Sequence, residues 1–416
     1  MSMKIIVQKY GGTSVRDEAS RQHAKKHIEK AIADGYKVVV VVSAMGRKGD
    51  SYATDTLLSL IGGNQSKVTK REHDLLLSCG EIISSVVFAN MLKENGINAS
   101  ALTGAQAGFR TNNDHSQAKI VEMKCDRLLR ELEYNDVVVV AGFQGVAKNG
   151  DITTIGRGGS DTSAAALGAA LQAEWIDIFT DVEGIMTADP RIAENARQLS
   201  VVTYTELCNM AYQGAKVIHP RAVEIAMQAK VPIRIRSTYS DNLGTLVTSI
   251  SKGSRGSDIK ERTVTGIAHV SNVTQIKVFA KKDQYNLQAE VFKAMANEKI
   301  SVDFINISPN GVVYTVTDEM TDRAIKVLTE IRHEPVVERH CAKVSVVGAG
   351  IAGVPGVTSR IVTALSENGI RILQSADSHT TIWVLVKQDD LVKSVNALHD
   401  AFHLEVETME TKLTDF

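Results

Sequence analysis

The stretch KVVVVVSAMG at residues 37–46 decides the fold class, because a β-branched run leads directly into a loop of small residues. Successive valines point to both faces of a strand, so both faces must be buried. Similar runs occur at 5–8, 136–141, 176–180 and 232–235, and segments with helical periodicity separate them. This alternation predicts an α/β fold, with a mostly parallel sheet between layers of helices. The predicted helices span 21–33, 73–93, 160–171, 204–212 and 220–229.

Composition excludes several classes of protein. The chain has 416 residues, a formal net charge of −1 and 5% aromatic residues, which argues against a nucleic-acid surface. Its apolar runs are far shorter than the roughly 20 residues of a membrane span. Its four cysteines form no C-x-x-C pair and are expected to be free thiols in a reducing compartment. We therefore expect a cytoplasmic protein with no nucleic-acid and no membrane partner.

The C-terminal region contains an internal repeat behind a polar segment. Residues 249–263 are rich in serine, glycine and mixed charges, which is typical of a linker. Beyond this linker, VFKAMANEKI at 291–300 aligns with IVTALSENGI at 361–370, and each lies in a βαββα pattern. A further strand would complete each copy as a ferredoxin-like βαββαβ module. The expected domains are residues 1–248, 264–337 and 338–416.

Glycine-rich loops indicate the chemistry of the first region. KYGGTS at 9–14, SAMG at 43–46 and GFQG at 142–145 each follow a predicted strand, and TTIGRGGSD at 153–161 opens into an alanine-rich helix. Glycines let backbone N–H groups approach an anion closely, and a helix N-terminus adds positive potential. Lys9 would add a point charge beside the first loop. Together these loops predict a polyphosphate site, although the chain has no Walker A motif.

A second glycine cluster resembles a dinucleotide fingerprint but is not expected to act as one. VVGAGIAG at 346–353 contains G-x-G-x-x-G after a predicted strand. However, Pro355 and Gly356 delay the next helix to about residue 357, whereas the fingerprint needs a helix that begins within the glycines. The matching position of the first repeat copy lacks these glycines.

Four motifs together carry a family resemblance. KYGGTS at 9–14, GRGGSDTSA at 156–164, FTDVEGI at 179–185 and GAKVIHPRA at 214–222 resemble the signature set of aspartate kinases in the amino acid kinase family. The repeat resembles the paired ACT modules of these enzymes. The sequence as a whole is similar to a subgroup that responds to diaminopimelate. The resemblance implies a three-layer αβα kinase domain with two ACT modules. It also implies transfer of a phosphoryl group from ATP to the β-carboxylate of L-aspartate.

The resemblance assigns roles to residues of the first region. Mg²⁺ is expected to arrive on the ATP phosphates, and no residue is assigned as its ligand. The residues implied in catalysis are Lys9, Arg157 and Asp161. Those implied in ATP binding are Lys9, Tyr10, Gly11, Gly12, Ser14, Ser43, Thr180, Asp181, Gly184, Arg191 and Lys216. Those implied in aspartate binding are Thr54, Glu81, Arg157, Gly158, Gly159 and Ser160. The β-carboxylate is already ionised at neutral pH, so no base is required and His219 is expected to be structural.

The resemblance also implies allosteric control by an amino acid. The expected effector is meso-diaminopimelate, lysine or threonine, and the expected assembly is a homo-oligomer, a dimer formed through the ACT modules. The residues implied in effector binding are Asp303, Asn306, Val354, Pro355, Gly356 and Val357.

Two other functions stay open at the level of sequence. The first is another activity of the amino acid kinase family, with glutamate or a nucleotide as substrate, and Arg157 and Glu81 argue against the nucleotide. The second is a non-catalytic amino-acid sensor, and what argues against it is the retention of Lys9, Arg157, Asp161 and Asp181.

Overall fold

The chain forms two compact units. The computed structural model describes residues 3–63, 66–249, 263–281, 285–349, 351 and 354–406. The first unit comprises Met1–Ile185, Gln198–Ala211 and Lys216–Ile259, and the second comprises Met186–Arg197, Tyr212–Ala215 and Lys260–Phe416. Most of the expected linker, residues 250–262, lies outside the described residues, as do Gly350, Ala352 and Gly353 of the second glycine cluster.

The first unit alternates strands and helices. Its strands are β1 (Ile5–Tyr10), β2 (Lys37–Val42), β3 (Ala99–Leu102), β4 (Phe109–Thr111), β5 (Ile120–Met123), β6 (Val137–Ala141), β7 (Gln144–Ala147), β8 (Ile152–Thr154), β9 (Ile176–Thr180), β10 (Val201–Thr203), β11 (Ile233–Ser237) and β12 (Thr245–Thr248). Its helices are α1 (Gly12–Val15), α2 (Glu18–Ala33), α3 (Thr54–Ser59), α4 (Lys70–Glu94), α5 (Gly104–Ala107), α6 (Asp126–Tyr134), α7 (Gly159–Ala170), α8 (Tyr204–Tyr212) and α9 (Pro220–Ala229).

The main sheet confirms the predicted α/β class. Its eight strands lie in the order β10-β12-β11-β9-β1-β2-β6-β3, and all neighbours are parallel except β11 and β12. On one face, Val38, Val40 and Val42 pack with residues of α2 and α4. Helix α7 packs against β1, β2 and β9 as well as against α9. The valine run at 38–42 is therefore buried on both sides, as its pattern predicts.

Several short elements were not predicted from the sequence. A separate four-stranded sheet has the order β5-β4-β7-β8, and the edges of the main sheet include β3 and β10. These strands are three or four residues long, which is too short for a period-two pattern to be recognised.

One helix of the described chain, α4, is long and apolar enough to cross a membrane by length and composition alone. More than half of its apolar window (56%) is buried inside the fold. Leu77, Phe88 and Leu92 are among its buried side chains, so the apolar character of α4 is used in packing within the first unit.

The second unit contains the predicted repeat. Its elements are β13 (Gly266–Phe279), α10 (Leu287–Asn297), β14 (Asp303–Ser308), β15 (Gly311–Thr317), α11 (Thr321–Glu330), β16 (Val336–Val347), α12 (Val357–Glu367), β17 (Gln374–Asp377), β18 (Thr381–Lys387) and α13 (Leu391–Ala401). Short 3-10 turns at Asp318–Met320 and Gln388–Asp390 precede α11 and α13 at equivalent places. Both copies thus have the order βαββα, and α12 begins at Val357, as expected.

The two copies share one sheet with the order β14-β15-β13-β16-β18-β17. Strands β13 and β16 are longer than predicted because each serves both copies. The first half of β13, from Gly266 to Val270, pairs with the second half of β16, while Val273–Phe279 pairs with β15. A register shift between Val270 and Val273 marks the junction, and a bulge of this kind bends a strand.

The shared sheet curves until its two edges touch. Gln374 of the edge strand β17 donates its Nε2–H to the carbonyl of Phe304 on the opposite edge strand β14, at 2.6 Å. A small apolar core is formed by one residue from each of four strands of this sheet, namely Val273, Phe304, Cys341 and Leu385. Larger cores lie under the helices of each copy.

Candidate active site

Loops after three neighbouring strands meet at one edge of the main sheet. β1 lies between β2 and β9, and all three are parallel, so their carboxyl ends are adjacent. In open α/β sheets, ligands bind beyond these ends. The predicted glycine loops at 9–14 and 43–46 lie at the ends of β1 and β2, and the segment 181–184 follows β9.

The first two loops are locked together at Gly12. The Gly46 N–H donates to the Gly12 carbonyl at 2.9 Å. A Cβ atom on Gly12 would lie 2.6 Å from the carbonyl oxygens of Ala44 and Gly46. Because such contacts are forbidden, only glycine allows the loop after β1 to approach the loop after β2 this closely.

An ion pair stands beside this glycine loop. Lys9 Nζ lies 2.8 Å from Asp161 Oδ1, and each side chain is 13% exposed. Lys9 projects from β1 toward the α7 side of the sheet, and Asp161 lies in the first turn of α7. The same carboxylate accepts the His219 N–H at 3.2 Å. The structure therefore brings together two of the three residues implied in catalysis.

The turn before α7 requires glycine. Gly158 has a φ of +67°, and a Cβ there would lie 2.2 Å from the Cβ of His219. His219 also accepts the Arg221 N–H through its Nδ1, which caps the start of α9. Gly159 packs against Phe143, and Ser160 is buried beside Gly142.

Arg157 and Lys216 are exposed cations of the first unit. Neither forms an ion pair or a side-chain hydrogen bond with any residue that the structure describes. Arg157 lies one residue before Gly158, so its guanidinium is attached to a backbone that the glycine turn holds in place. A free, planar guanidinium at such a position can bind a carboxylate through two parallel hydrogen bonds.

Glu81 is a buried carboxyl group with one oxygen to spare. It lies on α4 and is 2% exposed. Its Oε1 accepts the Ala44 N–H at 3.1 Å, and its Oε2 has no hydrogen-bond partner within the described chain. Burial raises the pKa of Glu81 from its ordinary value to about 8. A buried carboxyl group with an unpaired oxygen favours a cationic group of a ligand that binds beside it.

Thr54 lies close to the helix that carries Glu81. It is the first residue of α3, which packs against α4. Tyr52 and Leu57, on either side of it, line the space beside Gly80, where a Cβ would lie 3.1 Å from the Tyr52 carbonyl oxygen.

The residues implied in nucleotide binding differ in whether the side chain or only the backbone can contact a ligand. Asp181 and Thr180 are at the end of β9, and Thr180 Oγ1 donates to Asp181 Oδ1 at 3.2 Å. Ser14 exchanges a hydrogen bond of 2.7 Å with Thr238, so its hydroxyl already has a protein partner. The ring of Tyr10 is fully buried and stacks on Phe179, which leaves the backbone of Tyr10 to contact a ligand.

The other residues implied in nucleotide binding contribute mainly through the positions of their backbones. The Ser43 N–H donates to the Tyr10 carbonyl at 3.1 Å, which joins the ends of β2 and β1. Gly184 lies so close to Thr245 that a Cβ would be 2.6 Å from Thr245 Oγ1. Gly11 is near the ammonium of Lys9, at 3.5 Å from an added Cβ.

Comparisons with known proteins identify the family. The sequence profile of the amino acid kinase family matches residues 4–237, and that of an ACT domain matches residues 336–400. The chain is 68% identical to Aspartokinase 1 of Bacillus subtilis over 402 residues, which cover 97% of this chain and 100% of that protein. The chain belongs to the aspartokinases of the amino acid kinase family.

Solved structures agree with this family. One is E. coli aspartokinase III in complex with aspartate and ADP, in the R-state, with 26% identity and a TM-score of 0.76. Another is E. coli aspartokinase III in complex with lysine and aspartate, in the T-state, with 26% identity and a TM-score of 0.75. Each alignment covers 96% of this chain and 99% of that chain.

In this aspartokinase family member, Arg191 differs from the other residues implied in nucleotide binding in the unit to which it belongs. It belongs to the second unit, whereas the loops described above belong to the first. Its guanidinium forms two hydrogen bonds with the Asp189 carboxylate, at 3.0 and 2.7 Å. The Asp189-Pro190-Arg191 segment therefore forms a local turn in which the first and last side chains contact each other.

The predicted effector residues of this family member lie in two repeat copies. Asp303 and Asn306 are exposed on the edge strand β14, and Asp303 forms an ion pair with Lys343 of β16. In the second copy, 354–356 are exposed before α12, and Gly356 is the N-cap residue with a φ of +93°. Val357 is buried, so its side chain serves packing.

Sequence reasoning missed Asp74, which is completely buried on α4. Its carboxylate accepts hydrogen bonds from His115 Nδ1, from the N–H and hydroxyl of Ser116, and from the N–H and hydroxyl of Thr154. Ser116 lies beside Gly156, since a Cβ on Gly156 would be 3.0 Å from the Ser116 carbonyl oxygen, and Thr154 is two residues before Gly156 in the chain. Asp74 thus holds the base of the loop that carries Arg157. Asp74 precedes Glu81 by seven residues, which places both side chains on one face of the helix. This spacing is the sequence signal that could have identified Asp74.

Proposed function

We propose that the protein is an aspartate kinase, which transfers the γ-phosphoryl group of ATP to the β-carboxylate of L-aspartate and releases ADP and 4-phospho-L-aspartate. The near-complete match to Aspartokinase 1 of Bacillus subtilis carries this proposal. The geometry supports it, because the glycine loops, the Lys9–Asp161 pair and Glu81 are all attached to the carboxyl edge of one sheet or to helices packed on it.

ATP would bind across the loops after β1, β2 and β9. Backbone N–H groups of Gly11 and Gly12 would contact the phosphates, with the ammonium of Lys9 close by. Thr180, Asp181 and Gly184 would lie near the nucleoside, and Mg²⁺ would enter with the phosphates. Lys216 supplies a further exposed cation in the same unit.

Aspartate would be held by opposite charges at both ends. The Arg157 guanidinium would take one carboxylate in a two-pronged contact, and the free Oε2 of Glu81 would accept the α-ammonium. When the ammonium arrives, the proton on Glu81 is released, because a nearby positive charge lowers the pKa that burial has raised. Thr54 and Ser160 would complete the pocket.

Catalysis would then depend on position and charge. The attacking carboxylate oxygen is already ionised, so the protein needs no general base. Lys9 would neutralise charge that spreads over the transferring phosphoryl oxygens, which is where the largest catalytic contribution is expected. Asp161 would act as a positioning residue, since it fixes the Lys9 ammonium at 2.8 Å and is itself fixed by the His219 N–H.

Trapping the product tests this function. The protein is mixed with Mg·ATP and L-aspartate in hydroxylamine, which converts an acyl phosphate into a coloured hydroxamate. We expect hydroxamate that depends on both substrates, and glutamate should not replace aspartate. ATP binding without hydroxamate would instead favour a sensor or another substrate of the family.

Regulation and assembly belong to the same proposal. The shared sheet of the second unit would bind an amino-acid effector, namely meso-diaminopimelate, lysine or threonine, through the segments around Asp303, Asn306 and 354–357. The protein would act in the cytoplasm as a homo-oligomer joined through these modules, with residues 1–248 as the kinase domain and 264–337 and 338–416 as the ACT modules. The same assay with each amino acid added singly identifies the effector.

A further inference from the structure

Arg47 connects two of the loops at the candidate active site. It lies in the loop after β2, and its Nη2 donates to Asp181 Oδ2 at 2.8 Å. Asp181 follows the last residue of β9, so the ion pair joins loops of two strands that are not neighbours. Arg47 is not part of any motif that the sequence analysis assigned to ATP.

The position of β1 shows what this ion pair crosses. β1 lies between β2 and β9, and neighbouring strands are about 4.8 Å apart. A contact between the loops after β2 and β9 must therefore pass over the end of β1, where Lys9 and the Gly11-Gly12 turn lie. The Arg47 guanidinium is thus held above the loop at which the phosphates of ATP are expected.

The backbone at Arg47 is fixed, while its side chain is not. The Arg47 N–H donates to Asp50 Oδ2 at 2.8 Å, and Gly46 is tied to Gly12. Gly46 has a φ of +86°, and Asp50 occupies the space of its missing side chain. The Arg47 side chain itself is 68% exposed and that of Asp181 is 49% exposed.

We propose that Arg47 is a phosphate-binding residue that leaves Asp181 and contacts the terminal phosphates when the nucleotide binds. This inference rests on the proposed kinase function. An exposed ion pair contributes little stability, so its exchange is easy. A guanidinium binds phosphate through two parallel hydrogen bonds, and Lys9 is already engaged with Asp161. Arg47 is thus a second cation within reach of the polyphosphate.

Steady-state kinetics test this role with three variants. Arg47→Ala removes the guanidinium, Arg47→Lys keeps the charge without the planar fork, and Lys48→Ala is the matched control on the neighbouring exposed cation. We expect Arg47→Ala to lower kcat/KM for ATP about 10- to 100-fold, Arg47→Lys to lower it less, and Lys48→Ala to stay within about twofold of the parent. KM for aspartate should hardly change in any variant.

Calorimetry with Mg·ADP and with AMP separates phosphate contact from other effects. Weaker binding of ADP by Arg47→Ala, with unchanged AMP binding, supports contact with the β-phosphate. Unchanged ADP binding with a reduced kcat/KM for ATP supports contact with the γ-phosphate. If Arg47→Ala equals Lys48→Ala in every measurement, or loses AMP and ADP affinity equally, the inference is wrong. If the parent protein forms no hydroxamate, the proposed function fails. In that case, weaker ADP binding with unchanged AMP binding by Arg47→Ala would still support the role of Arg47, and unchanged binding of both would contradict it.

Discussion

The Lys9–Asp161 pair defines the candidate site at the scale of single residues. Both side chains are mostly buried, and each is oriented by its own element: Lys9 by β1 and Asp161 by the first turn of α7. An anion in the first turn of a helix is favoured by the helix dipole, so Asp161 suits this place even before Lys9 is considered. The pair can therefore hold an ammonium ready for phosphate at little cost in stability.

Replacing Lys9 should separate activity from folding. Lys9→Met is expected to lower kcat about 100- to 1,000-fold, because a cation that stabilises the transferring group is lost. It also leaves Asp161 without its counter-charge, so the thermal midpoint should fall. The double variant Lys9→Met/Asp161→Asn should regain the thermal midpoint but not the activity. A double variant that regains turnover would contradict the role of Lys9.

Glu81 predicts how stability depends on pH. In the unfolded chain its carboxyl group ionises above about 4.5, whereas in the fold burial holds its pKa at about 8. The unfolded state therefore releases a proton that the folded state retains, and stability is lost as pH rises from about 4.5 to 8. Glu81→Gln should be more stable than the parent, and the difference in thermal midpoint should grow from pH 5 to pH 8. A constant difference over this range would contradict the buried, protonated carboxyl.

The same substitution should impair substrate binding. Glu81→Gln is expected to raise KM for aspartate about 10-fold or more, because the amide cannot neutralise an ammonium ion, while KM for ATP should change little. In the parent, KM for aspartate should fall as pH rises toward 8, since less of the free site must then lose a proton. This pH dependence should disappear in Glu81→Gln. Activity assays at pH 6.5, 7.5 and 8.5 check both expectations.

At the scale of elements, one face of α4 organises the loops around the site. Asp74 holds Ser116 and Thr154, the Ser78 carbonyl accepts the Gln144 side chain at 2.8 Å, and Glu81 holds Ala44. These three positions are separated by four and three residues, so they align on the helix. A single helix therefore sets the relative position of the loops that would surround the substrate L-aspartate.

Asp74 should act through the loop that carries Arg157. Asp74→Asn replaces an acceptor of several hydrogen bonds with a group that must place an amide N–H against other donors. We expect KM for aspartate to rise about 10-fold and KM for ATP to stay within about twofold, along with a lower thermal midpoint. Asp151→Asn is the matched control, because Asp151 lies 3.9 Å from the same His115 but does not contact Thr154. Equal losses for both substrates would indicate a general structural defect instead.

The elements differ in how far the sequence could predict them. The strand at 37–42 was predicted with its observed bounds, because five consecutive β-branched residues favour a buried strand. Lys9 and Asp161 were both identified, yet their contact is not visible in the sequence, since it depends on how α7 packs against β1. Asp74 was missed because its burial depends on Thr154, 80 residues further along the chain. The seven-residue spacing from Glu81 places both carboxyl groups on one helix face, but it does not reveal a partner so far along the chain.

At the scale of the whole molecule, the second unit is one curved sheet that serves two repeat copies. Its exposed edge strand β14 carries Asp303 and Asn306, and the Gln374–Phe304 hydrogen bond ties this edge to β17 of the other copy. A ligand that displaces β14 would therefore act on both copies, because this hydrogen bond and the β13–β16 pairing join them.

Asn306 tests where the effector acts. Asn306→Ala should keep the basal rate within about twofold and raise the inhibitory concentration of the effector about 10-fold or more. Asn310→Ala, in the turn that follows β14, is the matched control and should leave inhibition unchanged. The measurement is the hydroxamate assay over a range of effector concentrations. Unchanged inhibition in Asn306→Ala would place the effector elsewhere.

The two long strands β13 and β16 limit how this protein can be re-engineered. Each strand contributes one half to each repeat copy, so a cut between the copies removes a strand from both. A chimaera that exchanges residues 338–416 alone would pair the first half of β13 with a foreign strand, so the side chains across this pair would no longer match. Transplanting effector specificity from a relative therefore requires the block from Gly266 to Ala401 together with residues 186–197, which pack into the core of the second copy. Recombination points inside the block should yield insoluble protein.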